Sequence, residues 1–391
     1  MNADTMQNCQ DVQNSTVLVR VDFNVPISSE GKVLDDFRIK AAIPTIQQLL
    51  EHNNSLALIA HLGRPTPGQL ADNESLRSVK DVLEDLLSEK VEFRTDISDN
   101  SPSAQRIILY ENLRNWSGEA DNDVEFAKQL AKLGEVFVQD AFGVAHRKVA
   151  STDAIAKLLP SYRGLLLEKE VTTLTQVIDD PATPFAAIIG GAKIADKIDM
   201  IERFIAKADL LVVGGAMANT FLQDSSFGGL EIGASVFEEG EESTLAAIKK
   251  RLSKQKTQLV LPDQDVAVGI GVNDTHRREV AVNHVAHNDL ILDFGHRSIE
   301  KTKQRLATAK TVIWNGPLGY IENPAYAKGS IEVAQFLANL DAEVIVGGGD
   351  TAEFVNNAGL AHKFSHVSTG GGASLELLSG KKLPAVEALR Q

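Results

Sequence analysis

The stretch AEVIVGGGDTAEFVNNAGL, Ala342 to Leu360, decides the fold. It opens on an apolar, β-branched run, passes through Gly347, Gly348 and Gly349 to Asp350 and Thr351, and continues with apolar residues at helical spacing. A strand that feeds a helix in this way is one half of a βαβ unit, and such units build parallel sheets. Glycine at the carboxyl end of the strand lets bare backbone approach a phosphate, whose charge the free N–H groups of the helix start favour.

The same alternation recurs along the chain. A first series of strands is expected at VLVRVDFN, SLALIAHLG, RIILYENL and EVFVQDAF. A second is expected at PFAAIIGGA, DLLVVGGAM, TQLVLP, LILDFG, TVIWNGPLG and AEVIVGGGD. Between them YRGLLLEKEVTTLTQVIDD reads as one long helix ending near Pro181, the natural junction of two domains. No repeat of fixed period and no low-complexity segment interrupts the pattern.

Composition limits what such a chain can do. With 391 residues there is room for about two domains with large cores, and 43% hydrophobic with 24% charged residues is an ordinary globular balance. Cys9 is the only cysteine, which excludes an intrachain disulfide and points to a reducing cytoplasm. The first sixteen residues carry no basic start followed by an apolar core, and no apolar run approaches the roughly 18 residues of a membrane span. A net charge of −14 argues against nucleic-acid binding, so an anionic ligand needs its own arginines.

In the second series almost every strand ends in glycine: IIGGAKIADK, VVGGAMANTF, WNGPLG, VGGGDT and finally STGGGASLE. One Gly-Gly at a βα turn is most often only a turn. Five in one domain suit a ligand lying across the carboxyl ends of the strands. No Gly-Lys-Ser/Thr and no G-x-G-x-x-G is present, so a nucleotide here is held by some other arrangement. Lys193 and Lys197, four apart just beyond Gly190 and Gly191, are expected on one face at a helix start. They oppose the dipole there, so either an anion lies between them or both are solvated. Asp350 reads equally as a helix N-cap or as a metal carboxylate beside phosphate oxygens.

In the first series the strand ends carry charge: Asp22 and Asn24 in RVDFNVP, Arg38 in DDFRIKAA, His61 and Arg64 in AHLGRP, Arg114 in YENLR, His146 and Arg147 in GVAHRKVAST. Four arginines at the ends of one sheet would converge on a small anion, and their bidentate geometry suits phosphate and carboxylate together.

RVDFNVP, AHLGRP, ENLR, AHR, GGAKIADKI, WNGPLG, GGGDT and STGGGASLE resemble, in order and spacing, the motifs of phosphoglycerate kinase, from about Val17 to Leu389. The resemblance implies an α/β fold of two Rossmann-like three-layer domains with parallel sheets, joined by a long helix and hinge. Residues 1–165 would hold 3-phosphoglycerate or 1,3-bisphosphoglycerate, 166–182 would form the interdomain helix, and 183–373 would hold ATP or ADP with Mg²⁺. The tail, 374–391, would pack back on the first domain. By motif, Asp22, Asn24, Arg38, His61, Arg64, Arg114 and Arg147 fall to the phosphoglycerate side. Gly191, Lys197, Asn315, Glu322, Gly347, Gly348, Gly349, Asp350 and Thr351 fall to the nucleotide, with Gly215, Gly229 and Gly295 bordering base and ribose and Asp350 holding the metal. Arg38, Lys193 and the amides of Gly371 and Gly372 would surround the transferred phosphoryl group.

A carboxylate acceptor is already ionised at neutral pH, so this chemistry needs charge neutralisation and alignment rather than a general base. The sequence departs from the family pattern at Val149, Phe37 and Ala234, none of them a phosphate or metal ligand. A catalytically silent relative is expected to lose Arg38, Lys193 or Asp350, all of which are present. A dinucleotide-dependent dehydrogenase would need the glycine fingerprint followed by an acidic residue. A cytoplasmic monomer acting on small molecules, without nucleic acid or membrane, is the expected state.

Overall fold

The computed structural model describes residues 7–390. The chain divides into two compact units, one running to Thr173 and resuming at Lys382, the other from Leu174 to Lys381.

The first unit is built on a six-stranded sheet of β1 (Thr16–Arg20), β2 (Ser55–Ile59), β3 (Val91–Arg94), β4 (Ile107–Tyr110), β5 (Val136–Gln139) and β6 (Ser161–Arg163). All pairs are parallel, in the order β3-β4-β2-β1-β5-β6. Parallel strands are covered on both faces, which is why β1 and β2 read as unbroken apolar runs and bury all but their first residue. Helix Phe37–Glu51 shows the matching helical period, burying Ile39, Ala42, Ile46 and Leu49 against Val17, Val19 and Leu58. The chain runs outward one way from β1 to β2 and the other way to β5, so the sheet reverses direction between β1 and β5. Loops at such a reversal splay apart and leave a crevice.

The second unit carries β7 (Phe185–Ile189), β8 (Leu210–Val213), β9 (Gln258–Val260), β10 (Asp265–Gly269), β11 (Arg278–Ala281), β12 (Leu290–Phe294), β13 (Thr311–Asn315), β14 (Glu343–Gly347) and β15 (His366–Val367). Six of these form a second parallel sheet, β15-β14-β13-β7-β8-β9, with its reversal between β7 and β13. Both strands at the reversal are wholly buried.

The segment LILDFG, expected in the parallel series, is β12, and it belongs instead to a separate three-stranded antiparallel sheet, β11-β10-β12. An apolar run closed by glycine reads alike in either kind of sheet, and the ladder with β10, Phe294 opposite Val266, decides the direction. The long helix spans Leu165–Asp179, shorter at its start than expected because Ser161–Arg163 pairs as β6 with β5. The division between units falls inside this helix, after Thr173. Residues 374–381, expected with the tail on the first unit, group with the second, where the Leu377 and Leu378 carbonyls accept hydrogen bonds from Arg203 at 3.2 and 3.4 Å. From Lys382 the chain belongs to the first unit, with the Ala385 N–H bonded to the Ala145 carbonyl at 3.1 Å.

Candidate active site

At the β1/β5 reversal the first unit gathers cations. Asp22, 2% exposed, follows β1 and accepts from Arg38 Nη1 at 3.1 Å, which fixes a guanidinium at the start of helix Phe37–Glu51. Asn24 ties the next loop, its Oδ1 accepting from the Gly63 N–H at 2.9 Å. Arg114 donates to the Gly63 carbonyl, so the arginine and the loop between His61 and Arg64 are joined.

His61 is buried, and burial together with the fields of Arg20, Arg114, Arg38 and Arg147 holds its pKa well below the ordinary histidine value. It is therefore neutral at physiological pH, and its 4.0 Å approach to Asp22 is no ion pair. The same crowding, with burial foremost and Arg147, Arg20 and Arg64 adding, lowers Arg114 to about 10. Among the described residues the Arg64 and Arg147 side chains, both exposed, have no hydrogen bond or ion pair. Like charges held this close repel one another, and an anion among them would reverse the sign of that energy.

Sequence reading missed what supports this cluster. Arg20, fully buried in β1, donates through Nε to Ser151 Oγ at 2.8 Å and lies 3.2 Å through Nη2 from His61 Nδ1. The Ser151 hydroxyl donates in turn to Glu119 Oε1 at 2.7 Å, while Glu119 Oε2 accepts the Ser151 N–H at 3.0 Å. The available signal was Arg20 itself, a charge inside an otherwise apolar strand.

In the second unit the β7/β13 reversal brings Gly190 and Asn315 together, the Gly190 N–H bonding the Asn315 carbonyl at 2.9 Å. The backbone approach is close enough that a Cβ on Gly190 would stand 1.8 Å from the Pro317 carbonyl oxygen. Lys197 Nζ is drawn into this corner, donating to the Gly190 carbonyl at 2.6 Å and to Asn315 Oδ1 at 2.8 Å. Its burial lowers its pKa to about 8, against the opposing pull of the Asp350 and Asp196 charges. Asn315 Nδ2 is buried and has no hydrogen-bond partner, and Gly348 lies over the amide.

Lys193 and Lys197 do not share a helical face as expected. Helix Ile198–Lys207 begins later, after a tighter turn over Ala195–Lys197, and Lys193 stands exposed in the preceding loop. The cause is Glu238, whose Oε2 takes the Ile194 N–H at 2.6 Å and anchors the loop ahead of the helix.

Two helix starts meet beside Asn315. Helix Gly349–Asn357 begins at the glycine turn after β14, with Gly348 at φ +91°, and helix Gly371–Leu378 begins so near that a Cβ on Gly371 would lie 2.9 Å from the Gly349 nitrogen. The Gly348 N–H reaches Ser374 Oγ at 3.3 Å, and Gly347 lies against both Asn315 and Ser374. Asp350 is exposed in the first turn, and no hydrogen bond or ion pair engages its carboxylate among the described residues. Thr351 is fully buried, and its hydroxyl accepts the Gly316 N–H at 2.7 Å, so its side chain fastens one glycine turn to another.

Gly215, at φ +67°, opens helix Gly215–Gln223 against Gly191, whose carbonyl accepts the Met217 N–H at 2.9 Å. Gly229 occupies a left-handed turn, φ +61°, and Gly295 caps helix His296–Leu306, where a Cβ would strike the Asp265 side chain at 2.4 Å. Both thus have folding reasons of their own, independent of the Gly190–Asn315 corner. Glu322 is exposed in the turn leading to helix Lys328–Leu337. Of the departures from the family pattern, Val149 precedes the turn that positions Ser151, Phe37 begins the Arg38 helix, and Ala234 bonds through its N–H to the Asp289 carbonyl at 2.9 Å.

Comparison with known proteins agrees over the full length. The family model for phosphoglycerate kinase matches residues 6–381. A phosphoglycerate kinase of Chloroflexus aurantiacus is 43% identical over 100% of this chain and 99% of its own, and one of Coprothermobacter proteolyticus is 42% identical over 97% of each. The solved phosphoglycerate kinase of Coxiella burnetii superposes with a TM-score of 0.86 at 35% identity, covering 98% of both chains, and that of Pyrococcus horikoshii with 0.82 at 29% over the same share. The chain belongs to the phosphoglycerate kinase family, and it is a glycolytic kinase using ATP and ADP as its nucleotide pair.

Proposed function

We propose that the arginine cluster at the β1/β5 reversal binds 3-phosphoglycerate or 1,3-bisphosphoglycerate, and that the glycine turns at the β7/β13 reversal bind the nucleotide phosphates. The observation that carries this reading is the crowding of Arg38, Arg114 and Arg147 around neutral His61, with Arg64 and Arg147 unpartnered among the described residues. Arginine forks match both ends of a molecule bearing phosphate and carboxylate. On the nucleotide side, the buried, unpartnered Asn315 Nδ2 is a donor awaiting an acceptor, and Lys197 brings positive charge to the same corner.

Asp350 fits a Mg²⁺ ion. It is an exposed carboxylate with no protein partner among the described residues, and magnesium is usually held by one or two carboxylates with waters and phosphate oxygens. When bound, the ion would neutralise charge on the nucleotide phosphates. Asp350 and the ion apart, the chain contributes position and charge. In the direction of ATP synthesis the acyl phosphate bond of 1,3-bisphosphoglycerate breaks, a bond forms from its phosphorus to the terminal oxygen of ADP, and the carboxylate leaves carrying the electron pair. No side chain has to accept a proton. Lys193, Arg38 and the free N–H groups of Gly371 and Gly372 would stabilise the three equatorial oxygens in transit.

The test is a coupled assay for ADP formed from ATP and 3-phosphoglycerate, with and without Mg²⁺. Metal-dependent turnover that collapses in Asp350→Asn is expected. A folded protein that turns over equally well in chelator, or in which Asp350→Asn is fully active, would remove the metal assignment.

A further inference from the structure

A second cluster of metal-ligating groups lies on the outer helices of the second unit, apart from the Gly190–Asn315 corner. His296 and Glu300 are one turn apart on helix His296–Leu306, and Glu332 comes from helix Lys328–Leu337. One ligand atom from each lies within 4.8 Å of the other two, as in a site able to close on a single ion. The three side chains are exposed or half-buried, so solvent ions reach them.

The cluster already holds a positive charge. Lys303 Nζ bridges the two carboxylates, pairing with Glu300 and lying 3.2 Å from Glu332 Oε2. Lys328 stands farther off, 3.8 Å from Glu332 Oε1 and 3.9 Å from Glu279. Glu279 in turn accepts the His296 N–H at 3.2 Å and fixes the backbone of the histidine. A lysine ammonium can swing away on its flexible stem, and an imidazole nitrogen is a good ligand for a d-block metal.

We propose that His296, Glu300 and Glu332 form a surface site for a divalent transition-metal ion, with Zn²⁺ as the best match, and that Lys303 is its built-in competitor. One nitrogen and two carboxylate oxygens are a common ligand set for zinc, with water completing a tetrahedron. The bound ion would tie helix His296–Leu306 to helix Lys328–Leu337.

The test uses the full chain without nucleotide. Zn²⁺ is titrated by calorimetry, and Co²⁺ serves as a spectroscopic probe whose visible absorption reports nitrogen and oxygen ligation. One saturable site is expected, weakened about tenfold or more by His296→Ala and by Glu332→Gln, each checked by circular dichroism. Lys303→Met, which leaves the three ligands in place and removes the competing charge, should tighten binding about tenfold. Asp350→Asn should leave it unchanged. Absence of saturable binding in both the parent and Lys303→Met would overturn the proposal. So would binding that survives His296→Ala and disappears in Asp350→Asn, since the metal would then belong to the nucleotide side.

Discussion

Lys193 and Arg64 are both exposed arms without a protein partner among the described residues, yet they should behave differently when removed. Lys193 is proposed to meet the phosphoryl group chiefly in transit, so Lys193→Ala should lower kcat by about 100-fold with little change in either KM. Arg64 is proposed to hold bound phosphoglycerate, so Arg64→Ala should raise that KM about tenfold or more and leave nucleotide Kd alone. Steady-state kinetics with nucleotide titrations separates the two. An Arg64→Ala variant that loses ATP affinity instead would exchange the two crevices. At this scale the sequence was legible where chemistry shows on the surface of a motif: Asp22, Arg38, His61 and Arg114 do come together. It was silent where long-range contact decides the matter. Nothing local joins Arg20 to Ser151 and Glu119, more than a hundred residues away from the arginine in one case, and nothing local turns Lys197 inward while leaving Lys193 in solvent.

Among the elements, helix Leu165–Asp179 has the least ordinary start. Asp140 Oδ1 accepts the Leu166 and Leu167 N–H groups at 2.9 and 3.3 Å, the work an N-cap side chain does, from a different segment of chain. A Cβ on Gly164 would lie 2.1 Å from that oxygen, so glycine is what allows the approach. Complete burial raises the Asp140 pKa from 3.8 to about 7, against the lowering effect of Thr45 and the two N–H groups. The folded chain therefore holds this proton more tightly than the unfolded one. The associated stability is fully present below the unfolded value of 3.8 and is lost as pH rises through about 7. Asp140→Asn keeps an acceptor for the helix and removes the titration. Denaturant midpoints across this range should fall with rising pH for the parent and stay flatter for the variant, and parallel curves would show that Asp140 does not titrate there. Elements were easier to read than their partners. Central strands announce themselves through buried Val and Ile, whereas β3, β6 and β15 are short and partly exposed, and the direction of β12 depends on a ladder that a single segment cannot reveal.

For the whole molecule, the proposed groups are divided: Arg38 belongs to the first unit, Lys193, Asp350 and the glycine turns to the second. Transfer without loss to water requires both substrates to be enclosed together, which we propose happens by rotation about helix Leu165–Asp179 and its flanks. Solution scattering should give a smaller radius of gyration with both substrates saturating than with either alone, and an unchanged radius in an active ternary complex would remove the motion. The division has another consequence, for how the chain is made. Because the first unit resumes at Lys382, the second is in effect an insertion within it. Leu383, Ala385, Val386 and Leu389 are all buried, and they follow the whole of the second unit along the chain. The second unit has all of its sequence earlier, so the usual order of synthesis, first domain folded first, is reversed for the final step of closure. Deleting residues 383–391 should lower the protection of β1 and β5 amides in hydrogen exchange while leaving β7 and β13 protected. An equal loss in both would mean that the tail serves the molecule at large. For a nascent chain, the half proposed to bind phosphoglycerate cannot be completed until the other half has been made.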